Sequence, residues 1–145
     1  MFSWLFNTNT NTKKVSFEDI QRIIKDKKYL LINTLSDKEQ NCLIKGTTPI
    51  NKEVEIVNHC LNKTEISIIV YGKNTNDISI IKKYNQLAQL GFSKVYVYLG
   101  GLFEWLCLQD IYGKTSFPTM GEELDILKYR ALPEINKNYY IENKI

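Results

Sequence analysis

Ile68-Ile69-Val70-Tyr71-Gly72-Lys73-Asn74-Thr75-Asn76-Asp77 is the stretch on which the reading of this chain turns. An apolar run of strand length meets a glycine and then five polar residues that favour turns. Beyond them Ile78, Ile81, Leu87 and Leu90 recur at helical spacing, and Gly91 stands where a left-handed residue ends a helix. A strand that hands a small polar loop to a helix N-terminus places that loop in the crevice where α/β proteins bind ligands. The free amides of such a helix attract anions. The loop begins with Gly72, which has no side chain to act as a nucleophile.

Working outward, Ser16-Phe17-Glu18-Asp19 after Val15 reads as a short strand end and a helix cap. Ser16 can accept from free amides, and Asp19 suits the first turn. Ile20, Ile23 and Ile24 then follow at helical spacing, and Lys25-Asp26-Lys27-Lys28 closes that helix with a solvated face. Tyr29-Leu30-Leu31-Ile32 has the continuous apolar character of a strand covered on both faces, ended by Asn33. Gly46-Thr47-Thr48-Pro49-Ile50 reads as a turn and short edge segment, because Pro49 cannot donate to a central ladder. A second helix is expected over Lys52 to Leu61, the central strand over Ile66 to Tyr71, and another strand over Val95 to Leu99. After Gly100-Gly101, residues Leu102, Trp105, Leu106 and Leu108 form the core face of a last helix ending near Tyr112-Gly113. Alternating strands and helices imply a parallel sheet.

The succession of strand, loop, helix, Leu90-Gly91-Phe92, strand, Gly100-Gly101 and Glu104-Trp105 resembles the rhodanese-like family over roughly Val15 to Ile111. The resemblance implies an α/β domain over residues 14–112: a central, mainly parallel sheet of about five strands with helices on both faces. Residues 1–13 are then an N-terminal segment and residues 113–145 a C-terminal extension. In sulfurtransferases of the family the nucleophilic cysteine directly follows the central strand, where this chain has Gly72. Two further elements depart together. Asn33-Thr34-Leu35 stands where active relatives have Asp-Val-Arg, so both members of an ion pair are replaced, the tolerable way to lose one. Cys42-Leu43-Ile44-Lys45-Gly46-Thr47 resembles the family's Gly-His-Ile-Pro-Gly-Ala, with Leu43 in the histidine's place. Inactive single-domain versions of this kind are encoded by some large DNA viruses and protists, and the Asn, Lys and Ile bias suits an AT-rich genome.

The expected site is therefore a degenerate loop, Gly72, Lys73, Asn74, Thr75, Asn76 and Asp77, with no catalytic residue, cofactor or metal. Lys73 is its only cation; Asp77 as the helix cap would repel a second anion, and Asn76 is the alternative cap. Phosphatase chemistry in such relatives also needs the missing cysteine and an arginine. Cys42 is the fallback thiol, whereas Cys60 and Cys107 read as inert core residues. The leading expectation is a non-catalytic module that binds protein or builds an assembly. The alternative is a sulfurtransferase that moves thiosulfate or persulfide sulfur through Cys42.

Composition narrows the rest. The 145 residues suit one domain, 43% of them apolar. Nineteen basic and sixteen acidic residues give +3, with no dense basic face for nucleic acid. Three widely spaced cysteines fit a reducing, cytoplasmic setting, virion-associated if the chain is viral, and no zinc spacing occurs. His59 and Cys60, adjacent on a helix, point about 100° apart and cannot readily share an ion. Asn62-Lys63-Thr64 matches a glycosylation sequon that is common by chance. Met1 to Phe6 is too short to span a bilayer and lacks the features of a signal peptide. Phe2, Trp4 and Phe6 could make weak peripheral contact with a membrane or partner, tethered by the Asn/Thr tract to Thr12. Phe117-Pro118-Thr119 opens the extension, and Glu122 to Leu127 suits one or two helical turns. Tyr129, Tyr139, Tyr140 and Ile141 suit a tail lying across the domain or on a second copy.

Overall fold

Side chains on a strand alternate between faces, and the strands over residues 29–33, 67–71 and 95–98 spend both faces on core. The computed structural model describes residues 12–135. Phe2, Trp4, Phe6, Tyr139, Tyr140 and Ile141 lie outside the described residues. Within them the chain runs β1 (Lys13–Lys14), α1 (Phe17–Ile23), β2 (Tyr29–Asn33), β3 (Leu43–Ile44), α2 (Ile50–His59), β4 (Ser67–Tyr71), α3 (Ser79–Gln89), β5 (Val95–Tyr98), α4 (Gly101–Tyr112) and β6 (Thr119–Met120). Short 3-10 turns occupy Asp37–Glu39 and Ile126–Tyr129.

The main sheet has the order β1-β5-β4-β2, and every pairing in it is parallel. Register places Leu31 opposite Ile69, and Tyr71 between Asn33 and Tyr98. An isolated parallel bridge from Leu31 to Thr47 adds a fifth stretch at the β2 edge. β3 and β6 form a separate antiparallel ribbon. The expected α/β sheet with helices on both faces is thus the observed one. On one face α2 and α3 bring Val57, Cys60, Ile80 and Leu87 onto Ile32, Ile68, Val70, Val95 and Val97. On the other, Ile20 and Ile23 of α1 and Leu102, Trp105 and Leu106 of α4 cover Leu31, Ile69, Tyr71 and Tyr98.

Local signals explain the boundaries. The Asp19 carboxylate accepts from the Ser16 backbone N–H at 2.9 Å, fixing the start of α1. α3 ends where Gly91, at φ +104°, lets its N–H reach Ala88 O and that of Phe92 reach Leu87 O, while Leu87 and Phe92 pack together. Two expectations shift. Pro49 opens α2 rather than lying in an edge segment, since its missing N–H is one that a helix start leaves unpaired anyway. Glu122 to Asp125 is irregular, and the turn begins only at Ile126.

The extension packs as core. Phe117 meets the rings of Trp105 at 5.0 Å and Phe17 at 5.6 Å, and Trp105 Nε1 donates to Pro118 O. Tyr129 is fully buried. Of the aromatic cluster Phe17, Tyr98, Trp105, Tyr112 and Phe117, only Tyr112 is largely exposed, so the cluster is no peripheral hook. Among the described residues no helix is long and apolar enough to cross a membrane.

Candidate functional site

The loop after β4 is gripped from behind by α4. Leu102 N–H donates to Gly72 O at 2.9 Å and Phe103 N–H to Lys73 O at 2.8 Å, so α4's unpaired first amides are spent on the loop. The double glycine makes that approach possible. Gly101 sits at φ +67°, and a Cβ there would come within 2.6 Å of Gly72 O and 2.9 Å of Asn74 N.

In front, Asp77 fills the cradle. Its Oδ2 accepts from Lys73 N–H at 3.0 Å, and its Oδ1 accepts from Ser79 N–H at 3.0 Å and from the Ser79 hydroxyl at 2.5 Å. The amides that would greet an anion at the start of α3 are therefore occupied by a carboxylate of the chain itself. Gly72 lies under this carboxylate. A Cβ at Gly72 would collide with Asp77 Oδ2 and come within 2.7 Å of Thr34 Oγ1 and 2.8 Å of Ile80 Cγ1. The loop lacks a thiol, and it also lacks the space for one.

The remaining loop residues are similarly engaged. Asn74 is buried, its Oδ1 accepting from Asn76 N–H and its Nδ2 donating to Tyr129 O at 2.8 Å. Thr75 and Asn76 are exposed. Lys73 Nζ pairs with Glu39 at 2.9 Å. Burial works to raise the Glu39 carboxyl, but Lys73 and the Ser36 hydroxyl outweigh it and hold the acid below its ordinary value. Nearby, Asn33 takes the role of a buried hub: its Oδ1 accepts from Leu35 N–H and Gln40 Nε2, and Leu35 itself is buried. At this position the chain has an amide network beside an apolar side chain.

Leu35, Glu39, Lys73, Asn74, Asn76 and Asp77 line an open crevice of about 720 Å³. Thr34, Ser36 and Ser79 complete these walls. The lining also includes Lys128, Arg130, Leu132 and Glu134 from the extension. Lys73 is thus not the site's only cation. Sequence reasoning missed the other two because they lie in an irregular segment without periodicity. Lys128 pairs with Glu123 at 2.9 Å, and Arg130 donates to Leu127 O. Cations and carboxylates both line the crevice, so it is not a one-sign anion funnel.

Cys42 lies elsewhere. It is fully buried in the same core cluster as Tyr71 and Tyr129. Burial pushes its thiol pKa up, a hydrogen bond with Thr119 opposes this, and the Glu123 carboxylate adds to the rise. Cys60 is buried against α2, and Cys107 is only partly buried, so it is no core residue. Among the described residues no group of three His, Cys, Asp or Glu side chains is placed to hold a metal ion.

No family model matches the chain, and no curated protein matches it. Solved structures do. The BH2092 protein from Bacillus halodurans is similar at 19% identity over 96% of both chains, with a TM-score of 0.58. The Alr3790 protein from Anabaena sp. matches at 21% identity over 90% of this chain and 94% of its own, with a TM-score of 0.54. EanB matches at 17% identity over 91% of this chain and 32% of its own, with a TM-score of 0.58. At these identities the likeness shows the fold alone. That fold is the rhodanese-like α/β architecture, a parallel sheet flanked by helices on both faces.

Proposed function

We propose that this chain is a non-catalytic rhodanese-like module whose crevice serves contact with a protein rather than sulfur transfer. One observation carries the reading: the volume a nucleophilic side chain would need above Gly72 is taken by Asp77, Thr34 and Ile80. Covalent catalysis needs a lone pair at that point, and packing there makes its reintroduction costly. The boundaries proposed for the module are residues 14–112 with the extension folded onto them. The test is turnover by the purified full chain with thiosulfate or mercaptopyruvate as donor and cyanide or a thiol as acceptor. Rates equal to those of a free thiol support the reading, and saturable turnover overturns it.

One observation favours a second reading. EanB, which shares the fold, has been captured with ergothioneine covalently linked to a cysteine persulfide. Sulfurtransfer here would have to run through Cys42, the thiol nearest in chain order to the crevice segments. In that reaction the Cys42 thiolate attacks the sulfane sulfur of thiosulfate, sulfite leaves with the S–S bonding pair, and the persulfide then passes its outer sulfur to a thiol. A persulfide on Cys42 after thiosulfate treatment would support it, and an unmodified Cys42 removes it.

A further inference from the structure

Two oxygens converge on the floor of the crevice. A Cβ on Gly72 would come within 2.7 Å of Thr34 Oγ1 and collide with Asp77 Oδ2, so both atoms border one point. Thr34, Asp77 and Ser79 all line the crevice, and each is half-buried. Counting protons shows what these oxygens offer. Ser79 Oγ lies 2.5 Å from Asp77 Oδ1 and 2.8 Å from Thr34 Oγ1, and it has one proton to give. A carboxylate only accepts and makes the stronger bond, so that proton goes to Asp77. The contact with Thr34 then runs the other way, with the Thr34 hydroxyl donating to Ser79 Oγ. Its one proton is spent there, and its lone pairs are left to the crevice.

Charge points in the same direction. Lys73 is matched by Glu39 at 2.9 Å and Lys128 by Glu123 at 2.9 Å. Arg130 and Glu134 bring one charge of each sign. Asp77 is the carboxylate left over, because its partners are the Lys73 and Ser79 amides and the Ser79 hydroxyl, all of them neutral. Its Oδ1 already takes two donors, whereas Oδ2 takes one and can accept another.

We propose that the crevice floor receives the ammonium of a lysine side chain from the partner protein, with Asp77 Oδ2 and Thr34 Oγ1 as its acceptors. The inference rests on the protein-contact reading above and names what that contact recognises. An ammonium has three donors and no acceptor, which matches a floor of lone pairs. A planar guanidinium fork needs both oxygens of a carboxylate, and Oδ1 is already filled, so the compact charge of lysine fits better. The same floor repels an anion, which reverses the polarity expected of free amides at a helix start.

The experiment is a titration of the full chain with Nα-acetyl-lysine methylamide, followed by NMR at the backbone amides of Lys73 and Ser79. Both signals should shift saturably. The probe acetylated on Nε has lost its charge and should bind about tenfold more weakly, and sulfate at matched ionic strength should leave both signals in place. Asp77→Asn keeps a capping side chain but should weaken the lysine probe about tenfold. Thr34→Val keeps the shape and should weaken it about fivefold, which keeps the test decisive if Asp77→Asn fails to fold. Absence of a saturable shift, equal binding of the Nε-acetylated probe, or sulfate moving the two signals in preference to lysine would each overturn the inference. Sulfurtransferase turnover is read in a separate assay, so a chain that neither binds the probe nor turns over loses this inference and keeps the non-catalytic reading.

Discussion

The floor of the crevice and the pocket of Cys42 each hold half of what thiol chemistry requires. Gly72 follows the central strand at a helix start with Lys73 beside it, but it has no sulfur, Asp77 takes the Lys73 and Ser79 amides, and there is no room for a side chain. Cys42 has the sulfur, but it is fully buried in the core cluster it shares with Tyr129, and the charges that act on it are the Glu123 and Glu122 carboxylates. A low-pKa thiol needs positive potential and access together. The two sites show that a loop built for a crevice and a buried thiol can occupy one fold without meeting.

The largest test of that separation is in the core that the Cys42 pocket shares. Trp105→Ala removes a fully buried ring that contacts Tyr98 and Phe117 and holds Pro118 O. It should cost about 3–5 kcal/mol in denaturant unfolding. A loss near zero would mean that the extension is not part of the core at all.

The crevice side is tested by refilling it. Gly72→Ala should destabilise by about 1–3 kcal/mol because its methyl meets Asp77, Thr34 and Ile80. Gly72→Cys should be at least as costly and remain without sulfurtransferase turnover. Combining it with Asp77→Gly should recover part of the stability, since the carboxylate is the nearest obstacle. Additive losses in the double variant would mean that the space above Gly72 is free after all.

Asn74→Ala should cost about 1–2 kcal/mol, since it leaves Tyr129 O unpaired in a buried setting. The smallest effect concerns Glu39. Its folded-state pKa is lowered by Lys73 and Ser36 against the opposing effect of burial. Its contribution is therefore present above the ordinary value of 4.5 and lost as pH falls through the lower folded value. Glu39→Gln should remove that part of the acid sensitivity, less than about 1 kcal/mol, and the difference should shrink in salt.

Much of the fold was legible because continuous apolar runs, helical periods and glycine stops are local signals. Tyr29 to Ile32 reads as a doubly covered strand, and Gly91 as a helix stop, without reference to any other part of the chain. The glycine at position 72, where the rhodanese-like resemblance expects a cysteine, was equally local. What could not be read was how the space was closed. No spacing rule links Asp77 back to Gly72, Glu39 to Lys73, or Tyr129 to Asn74, which is fifty-five positions away. The extension was opaque for a different reason: Phe117 to Arg130 packs through single aromatic anchors and irregular turns, which leave no period in the sequence. Pro49 was misread because a residue that cannot donate suits a strand edge and a helix start equally well.

Separation of sulfur from site is tested most directly by incubating the native full chain with thiosulfate and measuring its intact mass and peptide masses. The account predicts no gain of a sulfur atom on any cysteine and no thiocyanate when cyanide is added. A persulfide on Cys42 that forms stoichiometrically and is discharged by cyanide would contradict it.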